Sequence, residues 1–223
     1  MGLSHSPRIV TNGLVLCLDA ANVKSYPGSG TTWTDLSGQN AHGTINGSVS
    51  FVSNNYQSYF NFATASNLNY ISSTVSQSYL DFTMVFQPDF TLSGGSGLSG
   101  LLATSNNATG SDRSVRFENV NGTGPWNITG NPGNFGDWAY PTATSYYVNS
   151  TVSNTLVSGW NIFGGYRTNQ TTFPANFSYF LGASGYNGRG FQGKIAALYM
   201  YNRQLSSEER LQNFNALRGR YGI

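Results

Sequence analysis

The acidic side chains of this sequence are too few and too widely spaced to form a catalytic carboxylate pair. Retaining hydrolysis of a glycosidic bond needs two carboxyl groups about 5–5.5 Å apart, which alternate positions on one strand face can provide. The chain has nine Asp and Glu residues, and the one pair within four positions is Glu208 and Glu209. Consecutive helical positions do not share a face. This inventory argues against a glycoside hydrolase.

Histidine and cysteine are scarce as well, which argues against other common catalytic and zinc centres. The sequence contains two histidines, His5 and His42, and one cysteine, Cys17. A zinc site needs three or four converging ligands, and these three residues are far apart in the sequence. No Gly-x-Ser-x-Gly elbow, P-loop or dinucleotide-binding fingerprint occurs. We therefore expect a protein without enzymatic activity.

Calcium is the metal that the loops of this chain suit best, because its ligands are oxygen atoms on loops. Asp19, Asp35 and Asn40 are the candidate ligands, together with backbone carbonyls. An alternative interpretation of Asp35 is that its side chain caps a turn, as Asp before Ser-Gly commonly does. Calcium is the one cofactor that the sequence raises.

Aromatic and amide side chains in loop-like segments indicate a candidate carbohydrate site. Ligand sites combine aromatic surface with a few placed polar groups, and residues 119–141, "NVNGTGPWNITGNPGNFGDWAYP", have that composition. Alternatively, the two tryptophans anchor this long Gly-rich loop by packing on the rest of the domain. The candidate residues are Trp126, Asn127, Trp138, Tyr140, Tyr186 and Asn187.

The composition indicates one β-rich domain with an uncharged polar surface. The 223 residues fit a single domain, and charged residues make up only 9%, against about 25% in typical proteins. Gly and Asn tolerate positive φ and suit many strands joined by tight turns. A net charge of +2 is too small to indicate a nucleic-acid or anionic-membrane surface. We place an N-terminal arm at residues 1–8 and the domain at residues 9–223.

Cellular location is constrained by the first residues and by cysteine usage. "MGLSHSPRIV" lacks the features of a secretory signal, and no apolar stretch is long enough to span a bilayer. Cys17 lies in the apolar run "GLVLCLDA", where we expect a buried, unreactive thiol. These features favour synthesis in a reducing cytoplasm.

Alternating apolar and polar residues predict a series of antiparallel strands. In residues 9–19, Leu14, Leu16 and Leu18 are expected on one face, and "YLDFTMVFQPD" has the period of a half-buried strand that stops at Pro88. Residues 24–50 and 119–141 are interpreted as loops. Further strands are predicted in 59–62, 99–104, 114–119, 145–150, 159–167, 177–183 and 194–202.

The C-terminal segment "YNRQLSSEERLQNFNALRGRYGI" predicts the one helix. Ser206 and Glu209 form a capping box, and Leu211, Phe214 and Leu217 give a narrow apolar stripe. Gly219, after Arg218, is the expected end of the helix. We expect the arm and the exposed side of this helix to be where a partner docks, through Arg8, Glu208, Arg210, Arg218 and Arg220.

Three segments resemble the concanavalin A-like lectin/glucanase superfamily, in its laminin-G-like branch. "GKIAALYMYNRQLSSEERLQNFNALRGRYGI" is similar to the closing strand and helix of that fold, and "TTWTDLSGQNAHGTING" is similar to its Trp-x-Asp-x-Ser-Gly loop. "SYFNFATASNLNYI" occupies the place of its Phe-Asp-Gly strand, but without a carboxylate. The resemblance implies a two-sheet antiparallel jelly-roll sandwich with one short C-terminal helix.

Residues 9–38, "IVTNGLVLCLDAANVKSYPGSGTTWTDLSG", and the end "NFNALRGRYGI" also resemble domains found in virion proteins of tailed phages, many of them phages of cyanobacteria and other marine bacteria. That resemblance implies a structural virion protein, either a head decoration or a head/tail accessory, made in the host cytoplasm. Its partners would be capsid or tail proteins, and a homo-oligomer is compatible with such a role. The alternative function is an adhesin that recognises host-surface glycans. We expect neither nucleic acid nor membrane as a partner.

Overall fold

The computed structural model describes residues 7–54, 57–66, 68–76, 81–89, 98–103, 114–118, 127–130, 146–153, 155–166, 177–182 and 190–223. Within them lie fifteen strands and one helix, and no helix there is long and apolar enough to cross a membrane. The elements are β1 (Leu14–Asp19), β2 (Thr32–Trp33), β3 (Gly43–Asn46), β4 (Ser50–Val52), β5 (Tyr59–Phe62), β6 (Tyr70–Val75), β7 (Asp81–Pro88), β8 (Leu98–Ala103), β9 (Ser114–Glu118), β10 (Asn127–Gly130), β11 (Tyr146–Val148), β12 (Thr151–Val152), β13 (Asn161–Tyr166), β14 (Phe177–Leu181), β15 (Gly193–Tyr201) and α1 (Ser207–Tyr221).

The strands form two antiparallel sheets. The first sheet has the order β12-β11-β13-β7-β15-β5-β4, and β1 also pairs with β15. The second sheet has the order β10-β9-β8-β14-β6-β3-β2. The prediction of a two-sheet antiparallel sandwich with one C-terminal helix is therefore confirmed.

Strand β15 organises the first sheet because it pairs along both of its edges. One edge pairs with β7 along its whole length. The other edge is shared, since β5 pairs with residues 193–195 and β1 with residues 197–201. The register shifts between Ile195 and Ala197, and this bulge lets Ile195 and Leu198 face the same core.

Two hydrophobic clusters lie on opposite faces of the first sheet. The inner cluster lies between the sheets and contains large aromatic side chains such as Trp33, Phe82 and Tyr179. The outer cluster lies between the first sheet and α1 and includes Tyr199 and Leu217. Burial of this apolar surface is the main force that holds sheet to sheet and helix to sheet.

The prediction that β7 is half-buried is wrong, because both of its faces are covered. Phe82 and Phe86 face the inner cluster as expected. Asp81, Thr83 and Val85 on the other face are buried as well, because α1 packs over them. Strand β7 does end at Pro88, which has no N–H to continue the ladder.

The first strand also differs from its prediction at one position. Leu16 and Leu18 belong to the inner cluster, whereas Leu14 packs against the outer one. A register shift between Leu14 and Leu16 separates them. Such a bulge reverses the facing of the residues beyond it.

The seven further predicted strands are confirmed, and the two predicted loops are only partly loops. Strands β2 and β3 and the start of β4 lie within residues 24–50, and β10 lies within residues 119–141. These strands are two to four residues long. Segments this short carry too few alternating positions for a periodic signal.

The helix begins where the capping box predicts. The Ser206 hydroxyl accepts from the Glu209 N–H, and the Glu209 carboxylate accepts from the Ser206 N–H. Its end differs, because the helix continues through Gly219 to Tyr221 and is capped by Gly222, with φ +71°. Glycine has no Cβ and adopts this left-handed conformation without the steric cost that other residues bear.

The predicted apolar stripe of the helix is also shifted. Leu211 is 49% exposed, and the buried residues are Asn213, Leu217 and Tyr221. These three recur every four residues and form the face that lies on the sheet. Asn213 was missed because its burial depends on hydrogen-bond partners that are remote in sequence.

Candidate functional site

The residues predicted to bind a glycan lie mostly outside the described residues. The structure describes the backbone of Asn127, which begins β10 and pairs with Glu118. The predicted carbohydrate site at this loop stays a prediction. The residues outside the described ranges are Trp126, Trp138, Tyr140, Tyr186 and Asn187.

Asp35, a predicted calcium ligand, organises the turn around it. Its carboxylate accepts hydrogen bonds from the backbone N–H groups of Cys17 (2.8 Å), Ser37 (2.9 Å) and Ala41 (3.1 Å). The Ser37 hydroxyl donates a further bond at 2.7 Å. The alternative interpretation of Asp35 as a turn-capping residue is confirmed.

The other two predicted calcium ligands lie in different surroundings. Both carboxylate oxygens of Asp19 accept from the Arg220 guanidinium at 2.8 Å, and Asn40 is an exposed turn residue with φ +58°. Within the described ranges, no three His, Cys, Asp or Glu residues form a group that could hold a metal.

The predicted docking residues divide into two groups. Arg210 and Arg220 point inward, so the prediction that they lie on the exposed side of the helix is wrong. Arg210 pairs with Asp81 at 2.6 Å and its side chain is 10% exposed. Glu208 and Arg218 are exposed. The exposed Arg8 is bound to the helix through its backbone, since its carbonyl accepts from Gln212 at 2.7 Å.

A polar cleft that the sequence did not indicate opens beyond the end of the helix. It has a volume of about 540 Å³ and is lined by Asn61, Phe62, Ala63, Gln87, Pro88, Asp89, Ser158, Gln192, Gly193 and Lys194. Strands β5, β7 and β15 supply its floor. Because α1 covers only part of the outer face of the first sheet, this part of the same face stays open.

A row of three polar side chains crosses the cleft floor. Lys194 on β15 lies opposite Asn61 on β5 and opposite Gln87 on β7. Residues in register on adjacent strands point to the same face. The Lys194 ammonium donates to the Gln87 side-chain oxygen at 3.1 Å. The row therefore presents two amides and a cation to one space.

Two aromatic rings support the cation of this row. The Lys194 Nζ lies 5.1 Å from the ring centroid of Tyr59 and 5.9 Å from that of Trp160. The two rings pack edge to face, with centroids 5.6 Å apart. Tyr221, from the last turn of α1, packs against Trp160 at 4.8 Å. The end of the helix thus supports the cleft from behind.

The other end of the cleft carries a carboxylate. Asp89 accepts from the side-chain amide of Gln192 at 3.1 Å, and its backbone N–H donates to the Gln192 carbonyl at 3.1 Å. Gly193 adjoins this pair with φ +139°, and a Cβ there would lie 2.3 Å from the Gln87 carbonyl oxygen. Only glycine fits this approach of the two strands.

The rim at Ser158 is held by a buried asparagine. Asn161 is fully buried, and its side chain donates to the carbonyls of Val157 (3.0 Å) and Gly159 (2.9 Å). It also accepts from the Val157 N–H at 3.0 Å. These bonds fix the turn that carries Ser158. The cleft is therefore bounded by regular strands and by a turn with satisfied polar groups.

The polar side chains that line the cleft suit a hydroxyl-rich ligand. Amide side chains both donate and accept hydrogen bonds, and an ammonium donates three. Asp89 is the one carboxylate among the described residues that line the cleft. The lining residues come from three strands and from turns that are far apart in the sequence, so no local motif marks the site.

Comparison with known proteins identifies the class of fold. No protein-family model matches the chain, and no curated protein matches it. Solved structures do match: a sialidase of Trypanosoma rangeli in complex with the inhibitor DANA superposes with TM-score 0.53 and 13% identity, over 95% of this chain and 35% of the sialidase chain. The chain thus spans about a third of that enzyme.

Two further structures match at similar levels. Domain 4 of an extracellular GH43 arabinanase from Geobacillus stearothermophilus, in complex with arabinotriose, gives TM-score 0.51 and 15% identity over 91% of this chain and 98% of that domain. The ligand-binding domain of botulinum neurotoxin serotype D, in complex with N-acetylneuraminic acid, gives TM-score 0.53 and 12% identity over 93% of this chain and 52% of that domain. The protein has a lectin-like β-sandwich fold, and at these identities the likeness concerns the fold alone.

Proposed function

We propose that this protein is a non-enzymatic carbohydrate-binding module and that the cleft at Asn61, Gln87 and Lys194 is its sugar site. The observation that carries the proposal is the row of two amides and one ammonium on an open part of the sheet. Sugar hydroxyls need donors and acceptors in fixed positions, and strands fix side chains better than loops do.

The fold comparisons support the same proposal. The arabinanase domain was solved with arabinotriose and the neurotoxin domain with N-acetylneuraminic acid. Carbohydrate ligands thus accompany two lectin-like sandwiches. The carboxylate inventory supports a role in binding without hydrolysis.

A glycan array followed by titration calorimetry tests the proposal. We expect specific binding to at least one glycan, and a loss of about three- to tenfold in affinity for Asn61→Ala and for Gln87→Ala, since one hydrogen bond contributes about 0.5–1.5 kcal/mol. Gln204→Ala is the matched control, because Gln204 is an exposed residue outside the cleft. Retention of full affinity in both cleft variants would overturn the assignment.

The tryptophan loop is the rival site, and the same experiment separates the two. If Trp126→Ala and Trp138→Ala abolish binding while the cleft variants retain it, the site lies in the loop. A large loss of thermal stability in the tryptophan variants would instead indicate packing. Incubation of any bound glycan with the protein, followed by an assay for new reducing ends, tests the absence of hydrolysis.

A structural role in a phage virion is the second candidate function. Its support is the resemblance of residues 9–38 and 213–223 to virion domains. A protein with this role would be made in the host cytoplasm and assembled into the virion. Particles that lack the protein would be mixed with it and sedimented. Saturable rebinding at high copy number with a blank glycan array would favour this role, and no rebinding would count against it.

A further inference from the structure

We infer that the cleft selects glycans that carry a carboxylate or another anionic group, and that Lys194 binds the anion. This inference deepens the proposed function and rests on it. Its basis is the Lys194 ammonium at the floor of the cleft. Within the part of the chain that the structure describes, no carboxylate forms an ion pair with this cation.

Lys194 differs from the three described arginines that form ion pairs with carboxylates. Arg203, Arg210 and Arg220 each pair with a carboxylate, namely that of Glu209, Asp81 and Asp19 respectively. Lys194 instead donates to an uncharged amide, that of Gln87. An ammonium has three N–H donors, so two remain for a ligand.

The surroundings of Lys194 hold the cation in place without cancelling it. Tyr59 and Trp160 face the ammonium at 5.1 and 5.9 Å, and aromatic faces attract a cation while leaving its charge intact. Trp160 is only 8% exposed and is itself fixed by Tyr221. A surface lysine loses side-chain entropy when it binds an anion, and Lys194 has lost part of it already.

The position of Asp89 predicts how an anionic ligand is oriented in the cleft. Asp89 and Lys194 line the same cleft, and Asp89 is bonded to Gln192. A ligand carboxylate is attracted by the Lys194 ammonium, whereas the Asp89 carboxylate is an acceptor and offers an anion no hydrogen-bond donor. The anionic group is therefore expected at the Lys194 end, with hydroxyl groups toward Asp89 and Gln192.

Matched pairs of glycans test the selection. The array carries sialylated glycans beside their desialylated forms, and uronate oligosaccharides beside their carboxyl-reduced forms. We expect binding to an acidic member at least tenfold tighter than to its neutral partner, and weaker binding as sodium chloride is raised, because salt screens the charge pair. Preference for the neutral members would overturn this inference and leave the proposed function standing. A blank array would overturn both.

Charge variants assign the effect to one residue. Lys194→Gln removes the charge and keeps a hydrogen-bond donor, so we expect the affinity for an acidic glycan to fall by more than the affinity for its neutral partner. Lys194→Arg should retain part of the preference for the acidic glycan. Lys24→Gln is the control, because Lys24 is the other lysine in the sequence and is exposed. Equal weakening of acidic and neutral binding in Lys194→Gln would overturn the role of the charge.

A spectroscopic measurement on the unmutated chain guards against misfolding of the variants. The sequence has two lysines, so reductive methylation with ¹³C-formaldehyde labels only these and the amino terminus, and the dimethylated amines keep their charge. We expect the Lys194 signal to be displaced by the rings of Tyr59 and Trp160, and to shift on addition of the acidic glycan while that of Lys24 does not. An acidic glycan that binds without moving the Lys194 signal would contradict the inference.

Discussion

Asp81 joins the C-terminal helix to the sheet through one buried carboxylate. It is 1% exposed and accepts from the Leu205 N–H at 2.9 Å and from the Arg210 guanidinium at 2.6 Å. The guanidinium lies 4.6 Å from the ring centroids of both Tyr147 and Tyr166. The pair thus fixes the start of the helix above β7 and β13.

Removal of the Asp81 charge should weaken the whole domain. Asp81→Asn leaves the Arg210 cation buried without an anion, which costs about 3–5 kcal/mol in such pairs. Urea denaturation measures the free energy of unfolding. The double variant Asp81→Asn/Arg210→Met is the control, since it removes the stranded charge and should recover part of the loss. No difference between the single and the double variant would contradict the explanation.

Cys17 should be unreactive in the folded protein. Its side chain is buried, and burial, together with the nearby carboxylates of Asp19 and Asp35, raises the pKa of the thiol to about 12. Because the thiolate is the reacting form, a thiol reagent such as DTNB at pH 8 should react only at the rate of unfolding. Rapid reaction in native buffer, with the urea-unfolded chain as reference, would show that the thiol is accessible.

At the scale of elements, the start of the helix carries a pH-dependent contribution. Glu209 accepts from Arg203 and from the Ser206 N–H, and these bonds lower the pKa of its carboxyl to about 2 from the ordinary 4.5. A folded-state pKa below the unfolded one stabilises the protein above about pH 4.5, and this contribution is lost as the pH falls toward 2.

Comparison with Glu209→Gln isolates that contribution. We expect the unmutated protein to be the more stable of the two at pH 6, and the difference in unfolding free energy to shrink steadily between pH 4.5 and 2. Glu208→Gln is the comparison. Hydrogen bonds from its own backbone N–H and from the Ser206 hydroxyl lower the pKa of the Glu208 carboxyl, but Glu208 has no ion pair with Arg203, so we expect a smaller change with pH. A difference that does not change with pH would show that the charge of Glu209 is not responsible.

A second element-scale device is the N-terminal segment, which is attached to the helix by Asn213. The Asn213 side chain accepts from the Val10 N–H at 2.8 Å and donates to the Thr83 and Tyr201 hydroxyls at 3.2 and 3.0 Å. Asn213→Leu would leave the buried Val10 N–H without its acceptor, at a cost of about 1–3 kcal/mol. Thermal unfolding measures the effect as a loss of melting temperature. Asn215→Leu is the control, because Asn215 is a partly exposed neighbour on the helix. Equal losses in the two variants would contradict this role of Asn213.

At the scale of the whole molecule, stability is expected to be independent of calcium. The carboxylates of Asp35 and Asp19 are occupied by backbone N–H groups and by Arg220, so a cation would have to displace these donors. We expect the same melting temperature in EDTA and in calcium chloride. A rise with calcium would reveal binding to the folded state and would restore the set of Asp19, Asp35 and Asn40 as ligands.

The helix shows which features local sequence can predict and which it cannot. The capping box at Ser206 involves residues three positions apart, so the start of α1 was predictable. Its buried face was not, because Asn213 and Tyr221 are buried by Val10, Thr83 and Trp160. The pattern within the helix carries no information on partners so distant in the chain.

The cleft was even less predictable from local sequence than the buried face of the helix. Asn61, Gln87 and Lys194 look like ordinary polar positions of three separate strands, and the Lys194–Gln87 bond spans 107 residues. Their meeting depends on strand order and register, which are set when β15 pairs with β5 and β7 together.

The sequence by itself determined the class of fold, the approximate positions of most strands and the start of the helix. These follow from composition and from short-range periodicity. Tertiary structure decided which polar residues are buried and hydrogen-bonded within the domain, and which line the accessible cleft. Strand order and register bring together residues that are remote in the chain, and no local pattern encodes such contacts.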